Sequence, residues 1–257
     1  MGKTITIAVM NQKGGVGKST TTEILATEFA KRGFNTGAVD ADAQANMTNF
    51  FNVDKQKSIY DLITNTLTVE ELSVKVRANL TLLRSHINLA AIDMAMVNHF
   101  GAETKLLNCF SELKDKYDVV VYDCPPALNK LTAAIIASVD YIIIPLTVDS
   151  QDAIAGYEIL TENISDITKV IGCKSKKFKA LISKFIIREK ATIENLKIIK
   201  EKNINTFDTY IRNSTTVKAA RNKKKTAIEH LPNSPVANDF TDFFNELLIE
   251  LNVNGGN

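Results

Sequence analysis

The sequence predicts an α/β protein with a mostly parallel, twisted β-sheet and helices on both faces of that sheet. Strand-like runs alternate with helix-like stretches along the whole chain, and the strand-like runs are apolar at nearly every position. A glycine-rich turn joins the first of these strands to the first helix. Strands that are buried on both faces and joined by helices form parallel sheets.

Length and composition exclude several classes of protein. The chain has 257 residues, of which 45% are hydrophobic and 23% charged, so disorder, collagen and coiled coil do not describe it. Cys109, Cys124 and Cys173 form neither a CxxC pair nor a Cys/His cluster, which excludes a disulfide framework and cysteine metal ligation. The apolar runs are far shorter than the roughly 20 residues of a membrane-spanning helix. We therefore expect a cytoplasmic protein.

The first third of the chain contains the predicted strand Thr4–Met10, the helix Ser19–Arg32 and the short strand Thr36–Asp40. The first strand is β-branched and apolar, and Gly33 supplies the stop signal of the helix.

The remainder continues the alternation. We predict a third strand at Leu80–Arg84, a long helical stretch at Asp93–Lys116, and further strands; these are Val119–Asp123, Tyr141–Pro145 and Lys179–Ile182. Because no convincing linker interrupts the pattern, residues 1–257 are expected to form a single domain, with 252–257 as a frayed tail.

The glycine-rich turn, Lys13-Gly-Gly-Val-Gly-Lys-Ser-Thr20, is a variant phosphate-binding loop in which Gln12 replaces the usual first glycine. Its backbone N–H groups and the helix N-terminus suit a triphosphate. Lys18 is expected to reach the β- and γ-phosphates, Ser19 to ligate Mg²⁺ and Thr20 to touch the α-phosphate. The loop residues expected to contact the triphosphate are Gly14, Gly15, Val16, Gly17, Lys18, Ser19 and Thr20.

Three acidic residues follow predicted strands. Asp123 ends an apolar strand at the edge where ligands of parallel sheets collect, which fits a Mg²⁺ role through a coordinated water. Asp40 and Asp42 end the second strand. For Asp40 a plain turn or helix-cap role remains open beside a metal role.

Four blocks carry a family resemblance, namely Asn11–Thr20, Val39–Asn46, Leu82–Ala90 and Val120–Pro126. The second resembles a DxDPQxN segment and the last a Walker B strand followed by DxPP. With these motifs the chain resembles the deviant Walker A ATPases of the ParA/MinD group, and most closely the ParA-type partition ATPases. It departs from their pattern at Ala43, where proline is usual, and at Tyr210-Ile-Arg-Asn213, where Ile-Pro-Arg-Asn is common.

The resemblance implies a catalytic set of Lys13, Lys18 and Asp42, with ATP and Mg²⁺ as cofactors. Asp42 would position the attacking water, and Asp40 would support the Mg²⁺ shell formed by Ser19 and Asp123. Lys13 would cross a homodimer interface and touch the phosphates of the partner's ATP. We expect Ser183, Ile211 and Asn213 to frame the adenine.

Positive charge is concentrated in one segment, Lys169–Lys225, which carries 17 Lys/Arg and 4 Asp/Glu. Such a segment attracts polyanions, although a lysine-rich solubility surface remains possible. The resemblance implies non-specific double-stranded DNA as the ligand. The predicted contacts are Arg188, Lys190, Arg212, Lys218, Arg221, Lys223 and Lys224.

The preferred interpretation is a nucleoid-associated DNA partition ATPase stimulated by a ParB-like or small centromere-binding adaptor.

A MinD-like membrane ATPase would need a basic amphipathic C-terminal helix, whereas Asp239–Leu251 is acidic on its polar face. We therefore expect no membrane contact, and we expect the apolar face of this helix to pack on the core. A metal-cluster carrier would need paired cysteines, which are missing here. A non-enzymatic ATP binder fits poorly with Lys18, Ser19, Asp42 and Asp123 together.

Overall fold

Seven strands form one sheet in the computed structural model, which describes residues 4–54, 56–64, 67–174, 176–186 and 189–253. The strands are β1 Ile5–Val9, β2 Thr36–Asp40, β3 Ser73–Arg77, β4 Leu80–Leu83, β5 Val119–Asp123, β6 Tyr141–Thr147 and β7 Lys177–Ser183. The helices are α1 Lys18–Lys31, α2 Asn46–Phe50, α3 Ile59–Thr64, α4 Val69–Leu72, α5 Ile92–Asn98, α6 Ala102–Lys116, α7 Lys130–Ser138, α8 Gln151–Ile171, α9 Lys190–Glu201, α10 Thr215–Asn222, α11 Ala227–His230 and α12 Pro235–Glu250. A 3₁₀ turn spans Ile87–Ala91.

The strand order is β3-β4-β2-β5-β1-β6-β7, and every neighbouring pair is parallel except β3 with β4. The predicted mostly parallel sheet is therefore confirmed. Val9 and Asp40 both pair in register with Asp123, so β1, β2 and β5 end at one edge of the sheet. Ligands of parallel sheets bind at this edge.

Two features differ from the prediction. The expected helix over Asp93–Lys116 is divided into α5 and α6, because Gly101 has a φ of 76° that right-handed helix does not allow. The edge strand β3 was not predicted, since its residues are only partly buried and its sequence, Ser-Val-Lys-Val-Arg, is too polar for a central strand.

The sheet packs against helices on both faces. On one face α6, α7 and α8 cover a core that includes Phe110 and Tyr122. On the other face α1 and α12 meet through Phe29 and Phe244, whose ring centroids are 4.9 Å apart. The prediction that the apolar face of the C-terminal helix packs on the core is thus confirmed.

No helix within the described ranges is long and apolar enough to span a bilayer. Of the predicted frayed tail, Asn252 and Val253 donate backbone hydrogen bonds to the carbonyls of Ile249 and Leu248. Residues 254–257 lie outside the described residues.

A test of this packing uses Gly37 in β2, where an added Cβ would lie 2.8 Å from the Tyr117 ring. We expect Gly37→Ala to lower the free energy of unfolding by about 1–3 kcal/mol, because the ring must move in a packed interior. The matched control is Gly156→Ala in α8, where nothing lies within 4 Å of the added Cβ and the change should be neutral or stabilising. Equal urea-denaturation midpoints for the two variants would contradict this packing.

Candidate functional site

The loop between β1 and α1 is fixed by hydrogen bonds to two strands, β6 and β7. The Met10 amide donates to the carbonyl of Ile143 in β6, and Asn11 Nδ2 donates to the carbonyl of Pro145 at 2.7 Å. Ser183 Oγ, at the end of β7, donates to the carbonyl of Val16 at 2.8 Å. Gly17 precedes α1 with a φ of 102°, which a side chain would strain. The loop is therefore preorganised before any ligand binds.

A cavity of about 710 Å³ opens over this loop, a volume in the range of small-molecule sites. It brings together every residue predicted to bind ATP except Lys13. Its lining includes Gly14, Gly15, Val16, Gly17, Lys18, Ser19 and Thr20 from the loop and helix, and Ser183, Ile211 and Asn213 from the end of β7 and the chain before α10. Asp42 also lines it.

Lys18 opens α1 and is only 8% exposed. Its Nζ donates to the carbonyl of Lys13 at 3.2 Å, closing the loop on itself. Burial lowers the pKa of the Lys18 ammonium, while the nearby carboxylates of Asp123 and Asp42 oppose that shift. A ligand with negative charge would compensate the buried cation.

Asp123 ends β5 and is fully buried. Burial first, and then the nearby Asp40, raise its pKa well above the ordinary value, whereas a hydrogen bond from Ser19 opposes the rise. Thr22 Oγ1 lies 3.4 Å from Asp123 Oδ1, and Oδ2 has no hydrogen-bond partner. An unpartnered buried carboxylate oxygen beside a serine hydroxyl fits a hard divalent cation, which prefers oxygen ligands.

The geometry of Asp40 favours the helix-cap role over the predicted metal role. Its Oδ2 accepts from the amide and the hydroxyl of Thr48 in α2, at 2.8 and 2.7 Å, and its Oδ1 accepts from the Asp42 amide at 3.3 Å. Burial raises the pKa of Asp40 to about 6. Because both oxygens are already bonded within the protein, Asp40 shapes the loop that carries Asp42 instead of presenting a free ligand.

Asp42 lies in a loop that hydrogen bonds hold in place despite the alanine at position 43. Asp42 Oδ1 accepts from the Gln44 amide at 2.9 Å, and the Asp42 carbonyl accepts from Ser85 Oγ at 2.6 Å and from the Ala45 amide at 2.8 Å. The side chain is half-buried at the cavity. Asp42 is thus the acid with access to the cavity.

Lys13 makes its contacts outside the cavity lining. Its Nζ lies 3.0 Å from Asp149 Oδ1 and 3.3 Å from Thr147 Oγ1, both at or after the end of β6. The Lys13 and Asp149 side chains are 42% and 58% exposed. Exposed pairs of this kind contribute about 0–1 kcal/mol, so the lysine can leave this position at small cost.

Two predicted DNA contacts also bond to carboxyl groups within the fold. The Arg212 guanidinium donates two hydrogen bonds to Asp239 of α12, both 2.7 Å long. Arg221 Nη2 donates to Glu23 of α1 at 2.7 Å. These bonds hold the two guanidinium groups against neighbouring helices, and their role as DNA contacts stays a prediction.

The other predicted DNA contacts differ in their surroundings. Lys190 is 91% exposed and lies 3.7 Å from Glu194. Lys218 and Lys223 are exposed on and just after α10, and Lys224 Nζ donates to the carbonyl of Asn49 at 2.5 Å. Arg188 lies outside the described residues.

Several residues of the site were not predicted. Gln44, Asn46, Pro126 and Phe240 line the cavity, and buried Glu23 bonds to Arg221, which also lines it. For Glu23 the signal was its spacing, since a residue four positions after Ser19 lies one helical turn away on the same face. Within the described ranges no group of three or more His, Cys, Asp or Glu could hold a metal.

The chain matches a protein family, several relatives and solved structures of the same fold. The AAA domain family matches residues 4–179. An uncharacterized protein of Methanocaldococcus jannaschii is 30% identical over 86% of this chain and 89% of its own length. The sporulation initiation inhibitor protein Soj of Bacillus subtilis is 33% identical over 57% of this chain and 58% of its own length, so the match spans less than two thirds of Soj. A plasmid partition protein of Borrelia burgdorferi, solved with AMPPNP, has the same fold, with a TM-score of 0.80, 22% identity and coverage of 96% of this chain and all of that one.

The buried carboxylate of Glu23 generates a pH prediction. Burial raises its pKa from an ordinary value of 4.5 to about 8, with Arg221 opposing the rise. Between these values the folded chain keeps a proton that the unfolded chain releases, so the contribution of Glu23 to the free energy of unfolding falls as pH rises.

We therefore expect the free energy of unfolding of wild type, minus that of Glu23→Gln, to decrease by a few kcal/mol between pH 5 and 8. Each unit of pKa shift corresponds to about 1.4 kcal/mol. Urea titrations of both proteins at four pH values measure the difference. A difference that stays constant across this range would contradict the shifted pKa.

Proposed function

The chain belongs to the AAA domain family and is a ParA-like ATPase, and from this premise we propose that it is a DNA partition ATPase switched by ATP. In the proposed cycle ATP and Mg²⁺ bind the cavity, two subunits close over their nucleotides, the dimer binds DNA without reading sequence, and hydrolysis releases it. The main observation in support of the proposal is that the phosphate loop, Asp42 and the predicted adenine-binding residues all line the same cavity.

Two groups of cavity residues would hold the nucleotide. The backbone N–H groups of the loop, the N-terminus of α1 and the Lys18 ammonium would meet the triphosphate. Ile211 and Asn213 would frame the adenine, with Ser183 beside the loop through its bond to the carbonyl of Val16. The AMPPNP bound to the Borrelia protein of the same fold supports this assignment.

Ser19 and Asp123 would hold Mg²⁺, directly or through water. When bound, the ion supplies positive charge to the phosphate oxygens. Asp123 has the unpartnered oxygen that this role requires, and Mg²⁺ commonly takes only one or two protein ligands beside waters and phosphates. Asp40 supports the arrangement indirectly by holding the Asp42 loop.

Asp42 would orient the attacking water, since it is the acid that lines the cavity without being fully buried. Lys18 stabilises the charge that develops on the transferred phosphoryl group. Lys13 would leave Asp149 and reach the phosphates bound by the partner subunit, so that its charge completes each site only in the dimer.

DNA binding would depend on the exposed lysines Lys190, Lys218, Lys223 and Lys224, together with Arg188. Arg212 and Arg221 belong to the same predicted surface, and each guanidinium also bonds to a carboxyl group of the fold, that of Asp239 and Glu23 respectively. We further propose that a ParB-like or small centromere-binding adaptor stimulates hydrolysis and that the protein works at the nucleoid.

The first test separates binding from hydrolysis. Asp42→Ala should keep wild-type affinity for ATP and lose at least about 100-fold in turnover, since it removes only the group that positions water. Lys18→Ala is the contrasting variant, because it should lose nucleotide binding itself. Fluorescent-ATP titration and phosphate release measure the two steps. Wild-type turnover in Asp42→Ala would remove Asp42 from the mechanism.

The second test concerns DNA. Retention of wild-type protein on DNA should require ATP, fail with ADP and decrease steeply between two salt concentrations. Lys190→Glu with Lys223→Glu should weaken retention and reduce the salt slope by roughly one per lost phosphate contact.

Lys169→Glu, on the exposed end of α8, is the matched control and should bind DNA as wild type does. Anionic liposomes in parallel test the MinD-like alternative. Retention on DNA that does not depend on the nucleotide or on the salt concentration would contradict the proposal. Retention on liposomes instead of DNA would contradict it as well.

A further inference from the structure

We propose that Arg221 is a positioning residue for nucleotide binding: through the hydrogen bond from its guanidinium to buried Glu23 it fixes α10 as a wall of the nucleotide cavity. This inference rests on the proposed function, because it assigns the same cavity to a nucleotide. It concerns a pair of residues that the phosphate-loop chemistry itself does not use.

Glu23 is placed where a charged side chain is costly. It lies on α1 four residues after Ser19 and is 1% exposed. A buried carboxylate without compensation is strongly destabilising, so its partner must be held close. Arg221 provides that partner, with Nη2 2.7 Å from Glu23 Oε1.

The helix that carries Arg221 has little apolar packing of its own. Among the eight residues of α10, only Ala220 is fully buried, although Val217 packs partly against the core. Short helices depend on tertiary contacts for their stability. The polar contacts at its C-terminal end therefore weigh heavily in fixing its position.

A second polar contact follows directly after α10. Lys224 Nζ donates to the carbonyl of Asn49 in α2, the helix that comes after the Asp42 loop. The end of α10 is thus tied to α1 by Arg221 and to α2 by Lys224. Both of these helices begin next to residues of the proposed ATP site.

The position of α10 sets the shape of the cavity. Thr215, Val217, Lys218, Arg221 and Asn222 all line it, together with the phosphate loop and Asn213. A shift of about 1 Å in such a wall is enough to weaken ligand positioning. Loss of the pair should therefore weaken nucleotide binding more than it changes the chemical step.

The test uses Glu23→Gln combined with Arg221→Met, because Arg221→Met alone leaves a buried carboxylate unpaired. Removing both charges should preserve the fold. We expect a melting midpoint near that of wild type and roughly tenfold weaker binding of fluorescent ATP, with kcat at saturation unchanged.

Two further variants keep the test decisive. Glu229→Gln with Arg77→Met removes another ion pair, between β3 and α11, whose residues do not line the cavity, so nucleotide affinity should stay at the wild-type value. Arg221→Lys keeps a charge opposite Glu23 and should recover most of the affinity.

Each contrary result has a defined meaning. Wild-type affinity in the folded double variant, or an equal loss in the Arg77/Glu229 control, would overturn the inference. A loss in Arg221→Lys as large as in the double variant would also overturn it, since the guanidinium would then act on the nucleotide directly. Failure of wild type to bind ATP would instead refute the proposed function.

Discussion

The carboxyl edge of the sheet collects more negative charge than the fold neutralises by itself, and the rest of the site depends on this imbalance. Asp40 and Asp123 are register partners at the ends of β2 and β5, and Glu23 on α1 is close enough to raise the pKa of Asp123 further. Thr48 donates two hydrogen bonds to Asp40, Arg221 donates to Glu23 and Lys18 lies near Asp123, yet one Asp123 oxygen has no partner. A divalent cation carried in with a nucleotide would complete this balance, so ligand binding and stability of the site are linked.

The phosphate loop is rigid, whereas the Lys13 side chain beside it can change its partner. Hydrogen bonds to Ile143, Pro145 and Ser183 hold the phosphate loop before ligand arrives. By contrast, the Lys13 ammonium contacts Thr147 at the end of β6 and the exposed carboxylate of Asp149 just after it. A fixed cradle for the nucleotide and a weakly held lysine beside it suit a mechanism in which the lysine changes partner when a second subunit approaches.

Much of this could be predicted from the sequence, because local patterns specified it. The apolar strands, the glycine-rich turn and the acids at strand ends placed the sheet, the loop and Asp123 correctly, since each depends on neighbours within a few residues. What the sequence could not show were long-range partners. Nothing local indicates that Arg212 meets Asp239 or that Arg221 meets Glu23, because 27 and 198 residues separate the partners in the chain. The sequence left both a cap role and a metal role open for Asp40, and its bonds to Thr48 were visible only in the structure. The break at Gly101 was missed because the flanking residues continue a helical pattern.

A nucleotide held in the cavity should bring a second copy of the chain onto it. Sedimentation equilibrium with AMPPNP and Mg²⁺, with ADP and Mg²⁺, and without nucleotide measures this association. We expect twice the 28.4 kDa chain mass with AMPPNP and a single-chain mass in the other two conditions. A single-chain mass with AMPPNP, at concentrations that saturate binding, would contradict it.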